Sequence, residues 1–502
     1  MIRTDDKKCV IIGSGLGGLS SGVILAKNGY DVTVLEKHFQ IGGCLQCFCR
    51  DGVKFETGMH FIGSADKGQT MDMMFKYLEV DSDVALSRLD ETGYDIVSLA
   101  GKKYRFANER NNFISQMLAY FPDSENDLNE YCNIIDKVSA ASSLHSLQHT
   151  KTDDAINNEY LLRSIDDVLN EVIHNDELRN VLVGNLPLYA AEKGRTSFST
   201  HAFVADFYNK SAYRIVGGSD LIAKSLAHTI ERYGGKVLTR KNVVKIECDD
   251  THAVAVVTDD STRYDADVFI SDLHPARTIE LTDSPLLRNA YRKRVKALPN
   301  TVGCFTVYIK FKDKTQHYMN SNFYGYAGDS PWNCEKYTDA DWPKGYLYMH
   351  FCDNASHEYA NSGLIISYMQ YDDVVKWEGT SVGHRGADYE QFKKLKAEKL
   401  LESVERDFPC LRDNIESYYT STPLTYRDYT GTENGGMYGI ARDVTLGPAS
   451  RVHHRTKIPN LLLTGQNVNS HGILGVLVGT IVTCGELISS EEIIRQMTES
   501  IK

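Results

Sequence analysis

The N-terminal part of the chain alternates between short apolar runs and stretches rich in glycine or charge. Residues 9–12 (CVII) predict a buried strand, a helix-like run ends at Lys27 before the helix-closing pair Asn28-Gly29, and DVTVLE predicts a second strand that ends at Glu36. A strand, a helix and a strand in this order predict a βαβ unit of an α/β domain with a parallel sheet.

The C-terminal part contains a related pattern. Residues 461–464 (LLLT) predict a strand, Gly465 and Gln466 follow it, and a helix of small and apolar residues is predicted to begin near Gly472. A helix N-terminus carries partial positive charge, so this position favours a negatively charged group of a bound ligand. A helix that simply packs tightly through its glycines fits the same pattern.

Two central segments have a different character. Residues 106–212 predict a largely helical and polar region, with acidic residues on a solvated face. Residues 300–371 contain strand-length runs rich in β-branched and aromatic residues, TVGCFTVYIKF, YLYMHFC and GLIISYMQY, and residues 318–337 between the first two predict a loop. These segments predict a second unit that combines helices with an antiparallel sheet.

A glycine motif, Gly13-x-Gly15-x-x-Gly18, lies between the first predicted strand and helix. Gly13 permits the tight turn, Gly15 allows a pyrophosphate to approach the backbone, and Gly18 lets the helix pack closely on the strand. Glu36, at the end of the next strand, would accept hydrogen bonds from a ribose 2′-hydroxyl and repel a 2′-phosphate. This context predicts a dinucleotide site that disfavours NADP; a structural glycine turn is the alternative.

Length, composition and charge narrow the possibilities. A chain of 502 residues is too long for one compact core, so we expect two or three domains. The chain has 42% hydrophobic and 24% charged residues, which is typical of a globular protein. Its formal net charge of −12 argues against nucleic-acid binding and against electrostatic anchoring on anionic lipid.

The sequence shows no signal peptide or membrane-spanning run. The N-terminus lacks an apolar signal-peptide core, and the apolar run at 473–483 is shorter than the roughly 18 residues that suggest a span. We therefore expect a cytoplasmic protein, with apolar contact at a membrane surface left open. The sequence does not determine the oligomeric state.

Eleven cysteines without a repeating spacing predict reduced thiols rather than a disulfide framework. Cys44, Cys47 and Cys49 lie close together, and His60 is a further candidate ligand. The segment has an extended character, which points alternate side chains to opposite faces, and no second zinc-like pair follows it. We expect no metal site. A thioredoxin-like role is disfavoured because the motif does not open a helix in a βαβ unit.

Five segments together resemble the flavin-dependent family of phytoene desaturases, carotenoid cis–trans isomerases and retinol saturases. They are GSGLGGLSSGVILAKNGYDVTVLEK, IGGCLQCFCRDGVKFETGMHFIG, IVGGSDLIAKSLAHTIERYGGKVLTRKNVVKI, DADVFISDLHPART and LLLTGQNVNSHGILGVLVG. Within the family, GGC followed by TGMHFIG is more similar to retinol saturases, because desaturases usually carry arginine where this chain has Cys44. Phosphate binding near that position would then rest on backbone N–H groups.

The resemblance implies a specific architecture. We expect an α/β fold with a Rossmann-type FAD-binding domain of the glutathione-reductase-2-like kind and a discontinuous α+β substrate domain. The FAD-binding domain would comprise residues 1–105, 213–275 and 450–502, and the substrate domain residues 106–212 and 276–449.

The resemblance also implies roles for individual residues. His60 is the first candidate for a catalytic residue at the isoalloxazine ring, as donor or polariser, and Tyr438 and Tyr189 are further candidates. An ordinary packed side chain is the alternative at all three positions, and Glu56 and Asp272 are expected to serve structure. The residues expected to bind the cofactor are Gly13, Gly15, Leu16, Gly17, Gly18, Glu36, Lys37, Gly42, Gly43, Cys44, Met59, His60, Val243, Gly465, Gln466, Gly472, Ile473 and Leu474.

The function implied by the resemblance is saturation of a carbon–carbon double bond in a retinoid-like or carotenoid-like lipid, with one face of the aromatic-rich sheet lining an apolar tunnel. A carotenoid isomerase or a phytoene-type desaturase is the nearest alternative. A flavin amine oxidase and a non-enzymatic prenyl-lipid carrier are further ones. No second glycine motif is evident, so NAD(P)H or another electron donor would bind without its own Rossmann domain.

Overall fold

The structure, a computed structural model, describes residues 7–147, 154–352 and 358–500. Residues 1–6 and 501–502 of the expected FAD-binding domain lie outside the described residues, as do 148–153 and 353–357 of the expected substrate domain. The strands are β1 (Lys8–Ile12), β2 (Asp31–Leu35), β3 (Cys47–Arg50), β4 (Val53–Glu56), β5 (Ile62–Gly63), β6 (Leu86–Arg88), β7 (Asp95–Leu99), β8 (Lys102–Phe106), β9 (Ala212–Ile215), β10 (Lys236–Leu238), β11 (Val243–Cys248), β12 (Ala253–Thr258), β13 (Arg263–Asp265), β14 (Val268–Ser271), β15 (Thr282–Asp283), β16 (Gly303–Phe311), β17 (Asn322–Tyr326), β18 (Gly345–Phe351), β19 (Ser362–Met369), β20 (Ile415–Ser421) and β21 (Leu461–Leu463).

The helices follow the same chain order. They are α1 (Leu16–Lys27), α2 (Thr70–Tyr77), α3 (Arg110–Tyr120), α4 (Glu125–Ala140), α5 (Ser143–Ser146), α6 (Asp154–Leu161), α7 (Ile165–Val172), α8 (Asp176–Leu182), α9 (Phe198–Lys210), α10 (Asp220–Arg232), α11 (Pro275–Leu281), α12 (Asn289–Lys296), α13 (Ala387–Glu405), α14 (Leu411–Asn414), α15 (Pro423–Thr430), α16 (Gly472–Gly485) and α17 (Ser490–Glu499).

A five-stranded parallel sheet, in the order β10–β2–β1–β14–β21, forms the first unit. Its central strand β1 is apolar because both faces are covered: Cys9 and Ile11 pack into one core cluster, and Val10 and Ile12 into another. Helices α1, α10 and α16 contribute to the first of these clusters. The βαβ unit and the C-terminal strand and helix predicted from the sequence are confirmed.

A seven-stranded sheet, in the order β20–β16–β19–β18–β17–β7–β8, forms the second unit. The predicted loop at 318–337 is wrong in part, because β17 lies within it and pairs with β18 and β7. Its Gly, Asn and Tyr content is typical of loops, but Gly325 lies directly beneath the ring of Tyr346, where a side chain would not fit. Residues 322–326 form a strand because they pair with segments that are distant in the sequence.

The sheets also show how the chain divides. Strands β7 and β8 belong to the seven-stranded sheet, although the expected FAD-binding segment runs to residue 105. The division into domains stays a proposal, and this pairing favours placing the first boundary before Asp95. Residues of α3, α4 and α6–α9 join a core cluster on one face of this sheet, and residues of α13 join a cluster on the other.

Candidate functional site: a dinucleotide cradle joined to an aromatic cavity

The carboxyl ends of the parallel strands meet at one edge of their sheet. Gly13 follows β1, Glu36 follows β2, Asp272 follows β14, and Gly465 comes shortly after β21. All four residues line one cavity of about 600 Å³. Ligands of open α/β sheets bind at this edge, so the topology itself places the cavity where a dinucleotide is expected.

The glycine motif brings backbone against backbone. A Cβ at Gly18 would lie 2.1 Å from the carbonyl oxygen of Gly13, so only glycine fits there. A Cβ at Gly43 would lie 3.2 Å from the Cα of Gly15, and the N–H of Gly42 donates to the Ser14 carbonyl at 2.9 Å. The second glycine pair therefore packs directly against the first turn.

Asp272 lies beneath the glycine-rich turn at the start of α1. Its carboxylate accepts hydrogen bonds from the backbone of Gly18 and Gly15, and a Cβ at Gly17 or Gly465 would come within 2.6 Å or 2.1 Å of its Oδ1. Burial, together with the charge of Glu36, raises the pKa of this carboxyl to about 7 against the lowering by the two amides. Asp272 therefore holds the turn in shape from below.

Glu36 is fixed in position at the end of β2. Its Oε2 accepts a hydrogen bond from the Ser14 N–H at 3.1 Å, and its Oε1 accepts one from the His38 N–H at 2.9 Å. These bonds hold a buried carboxylate at the cavity wall. Oε2 also accepts a hydrogen bond from the Ser14 hydroxyl at 2.5 Å. Oε1 accepts only the His38 N–H among the described residues, so Oε1 keeps a free acceptor site for a ribose hydroxyl.

A second helix N-terminus meets the same cavity. Gly472 and Ile473 at the start of α16 line it, as do Leu16 and Gly17 at the start of α1. Neither N-terminus has a side-chain capping bond from its N-cap residue. The two helix dipoles therefore direct positive potential into one space.

The other wall of the cavity is the seven-stranded sheet together with α15 and the segment after it. Ile366 and Tyr368 project from one face of β19 into the cavity, two residues apart as the pleat requires. The Tyr368 hydroxyl is buried and has no hydrogen-bond partner among the described residues. Further apolar and aromatic lining residues are Tyr326, Tyr346, Leu347, Tyr208, Leu188, Tyr426 and Met437.

Most of the residues predicted from the sequence line this cavity. They are Gly13, Gly15, Leu16, Gly17, Glu36, Lys37, Gly42, Gly43, Cys44, Met59, His60, Val243, Gly465, Gln466, Gly472, Ile473 and Tyr438. Gly18 instead contacts Gly13 inside the turn, and Leu474 packs against the core beside α1. Tyr189 is buried away from this cavity, and its hydroxyl bonds His201 Nδ1 at 2.8 Å.

The two candidate catalytic side chains at the wall differ in their partners. Tyr438 donates to the Pro187 carbonyl at 3.1 Å, and its ring centroid lies 4.9 Å from that of His471. His60 Nδ1 lies 3.5 Å from Glu56 Oε2, and burial lowers the pKa of His60 to about 3, helped by the nearby charge of Arg214. His60 is therefore a neutral imidazole at the wall.

Among the lining residues that the sequence did not predict are two basic residues and a histidine: Lys241, Arg277 and His274. Lys241 follows β10, and Arg277 lies in the first turn of α11, directly after β14. Burial is the main cause that lowers the pKa of Lys37, and the charge of Arg277 nearby lowers it by a smaller amount. A basic residue shortly after a parallel strand is the sequence signal that could have identified Lys241 and Arg277. Lys37 and Arg277 supply the site with positive charge, which Cys44 does not.

The cysteine cluster is dispersed. Cys44 lines the cavity, Cys47 lies 3.6 Å from the Ser219 hydroxyl, and Cys49 is exposed on the β3–β4 hairpin. Burial raises the pKa of Cys44 to about 11, so it is a neutral thiol. The described residues contain no group of three or more His, Cys, Asp or Glu side chains that could hold a metal ion.

The residues present fit FAD. The site has the groups that bind a dinucleotide. They are a backbone cradle with no room for Cβ atoms, two helix N-termini without side-chain caps, and the buried carboxylate of Glu36 as an acceptor for ribose hydroxyls. The cradle would hold the pyrophosphate, Glu36 the ribose, and Val243 the adenine end. Within the described ranges no helix is both long enough and apolar enough to cross a bilayer.

Several known proteins are similar to this chain in sequence or in fold. All-trans-retinol 13,14-reductase of Danio rerio is 26% identical, over 96% of this chain and 86% of its own. Prolycopene isomerase 1 of an Oncidium hybrid cultivar is 24% identical, over 93% of this chain and 81% of its own. The crystal structure of an oxidoreductase from Methanosarcina mazei superposes with a TM-score of 0.64 at 18% identity, covering 95% and 99% of the two chains.

These comparisons confirm the Rossmann-type fold and the resemblance predicted from the sequence. The family described as flavin containing amine oxidoreductase matches residues 16–472, most of the chain. The chain therefore belongs to the flavin containing amine oxidoreductase family.

Proposed function

We propose that this protein is an FAD-dependent oxidoreductase that saturates a carbon–carbon double bond of a retinoid-like or carotenoid-like substrate. The observation that carries the proposal is the single cavity in which the dinucleotide cradle and the aromatic face of the seven-stranded sheet meet. The similarity to a retinol reductase supports the substrate class. An amine substrate has less support, because the acids of the lining, Glu36 and Asp272, lie at the dinucleotide end, whereas the wall formed by the seven-stranded sheet is apolar and aromatic.

The chain's own residues have distinct tasks in this reaction. Bound FAD supplies the electron pair, as hydride. The N-termini of α1 and α16 hold negative charge, and Glu36 orients the ribose. Ile366 and Tyr368 hold the polyene and exclude water, and the unpartnered Tyr368 hydroxyl offers one hydrogen bond to a polar end group such as an alcohol. His60 and Tyr438 lie at the wall as candidates for contact with the reacting carbons.

Two further parts of the proposal concern partners. NAD(P)H or another electron donor, such as a quinone, would reduce the cofactor. A substrate this apolar would be taken from a membrane surface, so we propose peripheral contact with one.

Isomerisation is the second candidate function, because a prolycopene isomerase is also similar over most of this chain.

Product masses test the proposal. The purified protein, reconstituted with FAD and reduced under anaerobic conditions, is incubated with all-trans-retinol and a panel of carotenoids. We expect a product that has gained two hydrogens. A Glu36→Leu variant, which should not retain FAD, controls for non-enzymatic reduction.

Other products would contradict saturation. A new retention time without a mass change would show an isomerase. Loss of two hydrogens with oxidised enzyme alone would show a desaturase. Turnover of amines but of no polyene would overturn the substrate class.

A further inference from the structure

Two buried polar atoms face each other behind the cavity wall. Glu56 Oε2 and His60 Nδ1 are 3.5 Å apart, in side chains that are 6% and 9% exposed. Neither atom has a hydrogen-bond partner among the described residues. Buried polar groups are normally satisfied, and catalytic hydrogen bonds often shorten only when the substrate is bound.

The surroundings decide where the proton of this pair resides. The other side of the Glu56 carboxyl is held by the backbone N–H of Ser219, and Arg214 donates to the His60 carbonyl oxygen at 3.3 Å. Burial raises the pKa of Glu56 to about 8, against the lowering effect of Arg214. Burial lowers the pKa of His60 to about 3. The carboxyl is therefore protonated and the imidazole is neutral.

The charged and titratable groups around Glu56 come from four elements. Arg214 on β9 and Lys54 on β4 lower the pKa of Glu56, and Asp220 on α10 raises it. Cys47 on β3 pairs with Glu56 across the hairpin, and burial raises the pKa of its thiol to about 12, so it carries no charge. Arg214 lowers the pKa of Glu56 more than Lys54 does, so Arg214 is the main cation that would stabilise Glu56 once its proton has left.

We propose that Glu56 stores the proton that saturation consumes and delivers it through His60, an inference that rests on the proposed function. The Glu56 hydroxyl donates to His60 Nδ1, which fixes the tautomer that carries its proton on Nε2. Because His60 lines the cavity, this N–H is the donor presented to the substrate. His60 is then the catalytic acid and Glu56 a positioning residue that acts through it.

The step balances. Bound reduced FAD would supply the hydride for one carbon of the double bond and lose two electrons. His60 Nε2 gives its proton to the other carbon, so the alkene is reduced by the same two electrons. The Glu56 proton moves to His60 Nδ1, which leaves a neutral imidazole and a Glu56 carboxylate beside Arg214. Solvent returns the proton before the next turnover.

The variant Glu56→Gln keeps the shape and the hydrogen bond to Nδ1 but has no proton to give. For the wild type we expect kcat for retinol saturation to fall as pH rises through about 8. In Glu56→Gln we expect kcat to be lower by about 10²-fold, the KM to be unchanged and the step near pH 8 to be absent. Asp95→Asn is the matched control, because Asp95 is a buried carboxyl outside the cavity, and it should retain the step.

A spectroscopic measurement on substrate-free holoenzyme does not depend on turnover. ¹⁵N NMR of histidine-labelled protein, with the His60 signals identified by their loss in His60→Gln, should show a neutral imidazole protonated at Nε2. Infrared difference spectra should show one protonated carboxyl band lost in Glu56→Gln. A His60 protonated at Nδ1, or a Glu56 ionised at pH 7, would overturn the proton store.

The two ideas fail in different ways. An unchanged pH step in an active Glu56→Gln enzyme would overturn the relay and leave saturation standing. Absence of saturation by the wild type with every polyene would overturn the proposed function, whatever the NMR tautomer shows.

Discussion

Single residues at the turn after β1 are constrained by contact with backbone rather than by chemistry. Gly18 illustrates this, since a Cβ there meets the Gly13 carbonyl oxygen, which no rotamer change can move aside. Glycines elsewhere lie in open space; Gly379, for example, has nothing within 4 Å of an added Cβ. Substitutions at these two positions therefore distinguish the effect of a steric clash from the general effect of replacing a glycine.

We predict that Gly18→Ala lowers the free energy of unfolding by about 1–3 kcal/mol and weakens FAD retention, because α1 must move away from β1. Urea unfolding and the flavin absorbance of the purified protein measure the two effects. Gly379→Ala should change neither. Equal effects of the two substitutions would contradict the close contact.

At the scale of one element, the segment before α16 depends on a side chain outside it. The Arg442 side chain is partly exposed, but its guanidinium Nε is buried and its terminal nitrogens donate to the carbonyl oxygens of Gln466 at 3.3 Å and Val468 at 3.1 Å. Burial lowers the pKa of Arg442 to about 9, so it keeps its charge at neutral pH. This cation fixes the loop that brings Gln466 and the N-terminus of α16 to the cavity.

Arg442→Met should lower the free energy of unfolding by about 1–3 kcal/mol, since two carbonyl groups lose their donor, and should increase the dissociation constant for FAD. Arg455→Met is the control: the Arg455 side chain is 64% exposed and pairs with Glu486, a type of ion pair worth about 0–1 kcal/mol. Thermal unfolding and FAD titration of both variants test this. A loss in Arg455→Met as large as in Arg442→Met would show that the loop does not need the Arg442 cation.

At the scale of the whole molecule, buried titratable groups link stability to pH. Burial raises the pKa of Glu56 to about 8 and those of Asp95 and Asp272 to about 7, so the folded protein holds protons that the unfolded chain releases above about pH 4. Their contribution is present below that pH and is lost as pH rises through 7 to 8. Burial lowers the pKa of His60 and His471 to about 3, so their contribution is complete above about pH 6.5 and is lost as pH falls.

We therefore expect the free energy of unfolding to fall between about pH 6.5 and pH 8.5, where the histidine contribution no longer changes. Asp95→Asn should show a smaller fall than the wild type, because it removes one of the three carboxyls. Urea unfolding at several pH values in this range measures the slope. A stability that rises over the range would show that these carboxyls are ionised in the folded protein.

The sequence predicted the local motifs of the site, but it did not predict which residues from distant parts of the chain contact them. Gly13, Gly15 and Glu36 lie within one βαβ unit, whose spacing already requires a turn, a helix and an acid at the next strand end. Tyr189 was placed at the site by resemblance alone, and its position depends on a helical layer whose packing no local pattern describes. Glu56 was expected to serve structure. His60 lies only four residues further along the chain, but the burial of the pair and the approach of Arg214 from β9 depend on tertiary packing.

By itself, the sequence determined the parallel βαβ unit, the glycine turn, the second helix N-terminus and the family, because these depend on residues a few positions apart. Tertiary structure decided that β7 and β17 pair and that the aromatic strands face the dinucleotide cradle across one cavity. It also decided that Glu56 and His60 are buried together behind the wall. Burial and distant pairing set these features, and both are properties of the whole packed chain.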